Sequence, residues 1–177
     1  NGIQRRIGIT GGIASGKSTI ANYLKSVKKI PILDADIYAY EALRPSTKAT
    51  KEVIKRYGAI VSEKTNVGLS INRFKLGEII FSNKNEKRWL ESLLHPIIKK
   101  RLNDELNEAQ SMPTIGLIIP LLFEADLAYL CSEIWLIYCD LDQQYERLMS
   151  RDKLNLKQAK CRVESQFPIE IKKQFAD

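Results

Sequence analysis

A chain of 177 residues that is 44% hydrophobic and 28% charged can bury one real core, with smaller excursions beside it. Its formal net charge of +7 suits an anionic partner, yet nucleotides, coenzymes, nucleic acid and anionic lipid all qualify, so charge selects none of them. One histidine and three cysteines without a CxxC pair argue against a zinc site, and Cys131, Cys139 and Cys161 read as reduced thiols of a cytosolic protein.

The chain begins at Asn1 rather than Met, which suggests a trimmed N-terminus. No secretory signal is visible. The longest apolar run, residues 115–123, is about half the length a membrane helix needs and contains Pro120. A soluble, cytoplasmic protein is expected.

In chain order, "RRIGIT" (5–10) reads as a strand, "STIANYLKSV" (18–27) as a helix and "IPIL" (30–33) as a second short strand. Between strand and helix, Gly11-x-x-x-x-Gly16-Lys17-Ser18 fits the phosphate-loop pattern at every fixed position. Glycines let the backbone approach phosphate closely, and consecutive N–H groups then point inward beside the positive end of the helix. Lys17 can reach the β- and γ-phosphates, and the Ser18 hydroxyl can ligate Mg²⁺. The strand before and the helix after favour nucleoside triphosphate binding over a chance glycine-rich turn.

The second strand ends in Asp34-Ala35-Asp36. In an extended turn both carboxylates project to one side, so one could hold Mg²⁺ or its water while the other accepts a hydroxyl proton. The alternative makes Asp36 the N-cap of a helix beginning near Ile37. Residues 37–111 are too long for one crossover and read as a helical insertion. It holds helices at 51–58, 72–81 and 84–109, with a polar turn at 62–70. Pro96 is expected to kink or interrupt the long helix near Leu94. His95 beside it most simply satisfies a carbonyl freed by that kink, and Lys99-Lys100-Arg101 reads as a solvated face.

Strands follow at 114–120 and 133–139; both are continuous apolar runs, as parallel strands buried on two faces require. Glu124, after "PLLF", is either a substrate or metal contact or an ordinary helix-start carboxylate. Asp140 rivals Asp34 for the metal. Arg147 and Arg151 share one helix face and could grip phosphate oxygens or simply be solvated. The remainder, 142–176, reads as charged helix broken at Pro168. The whole pattern is α/β: a parallel sheet in a three-layer α/β/α core, with a helical insertion and a helical lid.

Taken together, "GITGGIASGKST" (8–19), "DAD" (34–36), "GLSINRFKLGEIIF" (68–81), "LLHPII" (93–98), "PLLFE" (120–124) and "QQYERLMSRD" (143–152) resemble the dephospho-coenzyme A kinase family over nearly the whole chain. The resemblance implies a P-loop core over 1–36 and 112–142, a substrate-binding insertion at 37–111 and a lid at 143–172. It further implies another strand and helix beyond residue 177. The implied reaction moves the γ-phosphoryl of ATP to the ribose 3′-hydroxyl of dephospho-coenzyme A, with Mg²⁺. Asp36 matches the family's proposed base and Arg147 its lid arginine. Thr10, Gly11, Gly12, Ile13, Ala14, Ser15, Gly16, Lys17, Ser18 and Thr19, with Arg151, fall on the nucleotide side. Asp34, Asp36, Arg73, His95 and Glu124 fall on the substrate side, and Ser18 and Asp34 on the metal. Ala14 stands where the family usually has glycine, and little effect is expected from it.

ATP and dephospho-coenzyme A are the expected partners, with neither nucleic acid nor membrane, in a monomer or weak homo-oligomer. A nucleoside monophosphate or shikimate-like kinase is the nearest rival, and a non-enzymatic ATP-binding module the rival of another class.

Overall fold

Five consecutive buried residues, Ile7 to Gly11, run along the first strand and end where the phosphate loop begins. The computed structural model describes residues 4–66 and 68–177; the reading at Asn1, and position 67 of the polar turn, lie outside them. In chain order come β1 (Arg5–Gly11), α1 (Lys17–Ser26), β2 (Ile32–Asp34), α2 (Ala35–Ala42) and α3 (Lys48–Tyr57). They are followed by β3 (Ser62–Thr65), β4 (Gly68–Ile71), α4 (Arg73–Ser82) and α5 (Lys84–Glu108). The chain then forms β5 (Thr114–Ile118), β6 (Glu133–Ile137), α6 (Leu141–Asp152), α7 (Leu156–Glu164) and α8 (Ile169–Lys173). Two compact units result, Asn1–Asp36 with Leu102–Asp177, and Ile37–Arg101.

The first unit is built on a parallel sheet in the order β2-β5-β1-β6, the α/β arrangement that the continuous apolar runs called for. Ile9 sits at its centre, in register with Ile118 on β5 and Trp135 on β6. Ile7, Ile9 and Ile118 pack with Ala21 and Leu24 of α1, so the helix after the loop is fixed to the strand before it. β5 stops at Ile118, earlier than its apolar run: the Ile119 N–H still donates to the Ile9 carbonyl, but Pro120 has no N–H to continue the ladder.

The second unit has its own core, in which Val53, Val61, Ile71, Leu76, Leu90 and Leu94 are buried together. Thr47 caps α3 by accepting the Thr50 N–H, and Asn72 caps α4 by accepting that of Lys75. Arg56 forms a two-point ion pair with Glu86 while lying 4.5 Å over the Trp89 ring, tying α3 to α5. Two expectations are corrected here. The polar turn at 62–70 contains an antiparallel hairpin with Ser62 opposite Ile71; its residues are mostly exposed, so polar composition disguised strand as turn. Pro96 does not interrupt α5. It and Ser92, whose carbonyl loses its partner, are both exposed, and water can replace one missing bond on that face.

Because Ile9 is fully buried between two strands and α1, Ile9→Ala is expected to lower the free energy of unfolding by about 2–5 kcal/mol in urea denaturation. A loss below ~1 kcal/mol would contradict its central place in the core.

Candidate active site

β1 delivers its C-terminal end into the loop at two strained backbone positions. Gly11 has φ 145°, and a β-carbon there would collide with the Ile137 carbonyl. Gly16, at φ 103°, is the N-cap of α1. No side chain caps α1 and no acid stands in its first turn, so the positive end of its dipole is left uncompensated by side chains. Ser18 and Thr19 are exposed at that turn, and Ser15 is buried with no hydrogen-bond partner for its hydroxyl. Ala14 takes φ 58°, the left-handed region where a β-carbon is costly. Alanine at this position therefore carries a backbone cost that the loop pattern does not reveal.

Lys17 folds back over the loop. Its Nζ donates to the carbonyls of Gly12 at 2.7 Å and Gly11 at 3.2 Å. Burial pushes its pKa down to about 8; Lys172 and Arg151 push the same way, while Asp36 and Asp34 oppose. Thr10 is fully buried, and its hydroxyl donates to the Pro120 carbonyl at 3.3 Å, so its side chain joins β1 to the segment after β5 instead of facing the loop. The Ile13 N–H is held at 2.8 Å by Gln166 Oε1.

The two aspartates divide the roles that the sequence left open for Asp36. α2 begins at Ala35, and it is Asp34 whose Oδ1 accepts the Asp36 N–H at 2.9 Å. Asp34 is thus the capping residue, and Asp36 stands in the first helical turn rather than an extended turn. Asp36 is exposed as a residue, but the groups around its carboxyl remove enough water to raise its pKa. Asp34 adds to that rise, while Lys17 and Arg151 oppose it. The result is a carboxyl of increased basicity within the electrostatic reach of the loop lysine.

On α6, Arg147 donates to the Ala14 carbonyl at 3.2 Å and to Cys139 Sγ at 3.5 Å. Arg151 is bound to Asp152 while its charge acts on Asp36 and Lys17. Asp140 is exposed and immediately precedes α6. Glu124 pairs with Lys172 at 2.8 Å and accepts the Phe167 N–H at 3.0 Å. One carboxylate oxygen of Glu124 is therefore tied into the fold, and the other, Oε2, is buried without a partner.

One unit holds the loop, Asp34, Asp36, Glu124, Arg147 and Arg151. Arg73 and His95 belong to the other. There Arg73 donates to the Tyr40 carbonyl at 2.9 Å and lies 3.8 Å over the Tyr40 ring, and His95 is half-buried in α5. Sequence reasoning missed Gln144, whose amide lies against Gly12, and also Gln166 and Lys172. Two glutamines and a lysine in a charged stretch give no sequence signal; only the tertiary pairing singles them out. Among the described residues, no group of three or more His, Cys, Asp or Glu side chains is arranged to hold a metal ion.

The sequence model of the dephospho-CoA kinase family matches residues 5–177. A dephospho-CoA kinase of Prochlorococcus marinus is 59% identical over 99% of this chain and 84% of its own length. One from another strain of that species is 50% identical over 100% of this chain and 87% of its own. Among solved structures, a dephospho-CoA kinase from Campylobacter jejuni superposes with a TM-score of 0.66 at 30% identity, covering 99% of this chain and 86% of that one.

Two outcomes follow from the loop. A triphosphate raises the proton affinity of Lys17, so nucleotide binding should take up a proton near pH 8 and weaken as pH rises above about 8. Titration calorimetry in buffers of different ionisation enthalpy reads this, and an affinity unchanged up to roughly pH 9.5 with no proton uptake would contradict it. Ala14→Gly should raise the unfolding free energy by ~1 kcal/mol by relieving the positive φ. A destabilised Ala14→Gly protein would show that the β-carbon contributes more than it strains.

Proposed function

We infer the function from the premise that this chain belongs to the dephospho-CoA kinase family: it transfers the γ-phosphoryl of ATP to dephospho-coenzyme A, giving coenzyme A and ADP. The acceptor is the ribose 3′-hydroxyl. The observation that carries the mechanism is the pairing of a carboxyl of raised proton affinity, Asp36, with the cation of a phosphate loop, Lys17.

Phosphoryl transfer asks a protein for position and charge more than for covalent chemistry. Residues 10–19 cradle the triphosphate through backbone amides, and Lys17 exchanges its two carbonyl contacts for phosphate oxygens. Asp36 takes the proton from the acceptor hydroxyl, a task its raised pKa favours. Arg147 and Arg151 offset the charge that spreads over the transferring phosphoryl. Asp34 fixes the start of α2 and hence the place of Asp36.

Mg²⁺ prefers phosphate oxygens and water to an all-protein cage; Ser18, exposed in the first turn of α1, and Asp34 would hold it. When bound, it neutralises charge on the β- and γ-phosphates. Residues 37–111 bind the acceptor, with Arg73 and His95 on that side, and residues 143–172 serve as the lid that excludes water as a competing acceptor. Glu124, whose second oxygen is buried without a partner, belongs on the acceptor side of this reading. No helix of the described residues is long and apolar enough to cross a membrane. On this reading the enzyme works in the cytoplasm, as a monomer or weak homo-oligomer, on two small molecules, without nucleic acid.

The test is ADP release driven by dephospho-coenzyme A, in the wild type and in Asp36→Asn. The variant should bind MgATP with unchanged affinity and turn over about a hundredfold or more slower. Near-normal turnover would make Asp36 a structural residue and remove the proposed base.

A further inference from the structure

Lys172 is a lysine with no exposed surface, set near the end of the short helix α8. Its Nζ lies 2.8 Å from Glu124 Oε1 and donates to the Pro120 carbonyl at 3.2 Å. That carbonyl also accepts the Thr10 hydroxyl at 3.3 Å, so the ammonium grips the end of the strand that leads into the phosphate loop. Glu124 Oε1 in turn accepts the Phe167 N–H at 3.0 Å. The residue before, Gln166, holds the Ile13 N–H of the loop at 2.8 Å. One buried ion pair therefore joins the end of β1, the segment after β5, the α7–α8 connection and the loop itself.

A buried ammonium is costly to desolvate, and an apolar side chain of similar length would fill the same space at less cost. What an apolar residue could not do is bind Glu124 and the Pro120 carbonyl together, and so immobilise Phe167 and Gln166. The charge of Lys172 is also near enough to act on Lys17. We propose that Lys172 is a positioning residue of the phosphate site: through Glu124 and the Pro120 carbonyl it fixes the 166–167 segment, and Gln166 then holds the loop at Ile13. Its turnover readout rests on the kinase reading above; its nucleotide-binding readout does not.

The experiment is a double-mutant cycle on the full chain. The Kd of MgATP and the dephospho-coenzyme A-dependent kcat and KM are measured for wild type, Lys172→Met, Gln166→Ala and the double variant. Each single change should raise the Kd and KM for ATP about ten- to a hundredfold. The double variant should be no worse than the poorer single one, within roughly twofold, because both act through one chain of contacts. A residue that merely props up the fold would lower the active fraction, and hence kcat, with the Kd unmoved. An unchanged Kd in Lys172→Met, or multiplicative losses in the double variant, would overturn the proposal. If Lys172→Met does not fold, the neutral pair Lys172→Met with Glu124→Gln replaces it in the cycle. That pair leaves no lone buried charge, and the Kd of MgATP is then read by the same criteria, since Glu124 also stands on the acceptor side. Absent acceptor-dependent turnover with these Kd shifts intact would sink the kinase reading and leave the positioning role standing.

Discussion

Everything at the site depends on how the Lys17 ammonium is kept charged inside a buried loop. Two carbonyls, of Gly11 and Gly12, accept hydrogen bonds from it. They can lie so close only because Gly11 turns where no other residue could, against the Ile137 carbonyl. Burial there lowers its pKa, so its proton is held more loosely than that of an ordinary lysine. A triphosphate beside it favours the charged form.

The same economy explains the order of the charged groups around it. Asp36 and Asp34 pull the lysine toward its charged form, and Lys172 and Arg151 push against it. Asp36, for its part, is short of water and next to a second carboxylate, so it holds a proton more readily than an ordinary aspartate. A loop cation in want of an anion and a carboxylate suited to accept a proton are complementary halves of phosphoryl transfer to a hydroxyl. The fold sets them near each other because β1 and β2, separated by β5, end on the same side of a parallel sheet.

Local patterns made much of this legible. A glycine-rich loop between an apolar strand and a helix identifies a phosphate site from spacing alone, and uninterrupted apolar runs announce a parallel sheet. The wrong or missing readings have separate physical causes, three of them local and one long-range. Asp34, not Asp36, caps α2, since the helix starts two residues earlier than its apolar pattern suggests. Pro96 leaves α5 whole because its missing bond falls on the exposed face. The hairpin at β3 and β4 is too polar to read as strands. Lys172 looks like any surface lysine until Glu124, 48 positions earlier by their numbers, is seen beside it.

The central claim is that a phosphate loop and a proton-accepting aspartate serve one particular acceptor. Its most direct measurement offers the full chain MgATP with dephospho-coenzyme A, adenosine monophosphate and shikimate in one mixture, and identifies the phosphorylated product by mass spectrometry. Coenzyme A should form in step with ADP, while the other two acceptors stay unmodified. Phosphate on adenosine monophosphate or shikimate, or ADP formed without any phosphorylated acceptor, would contradict it.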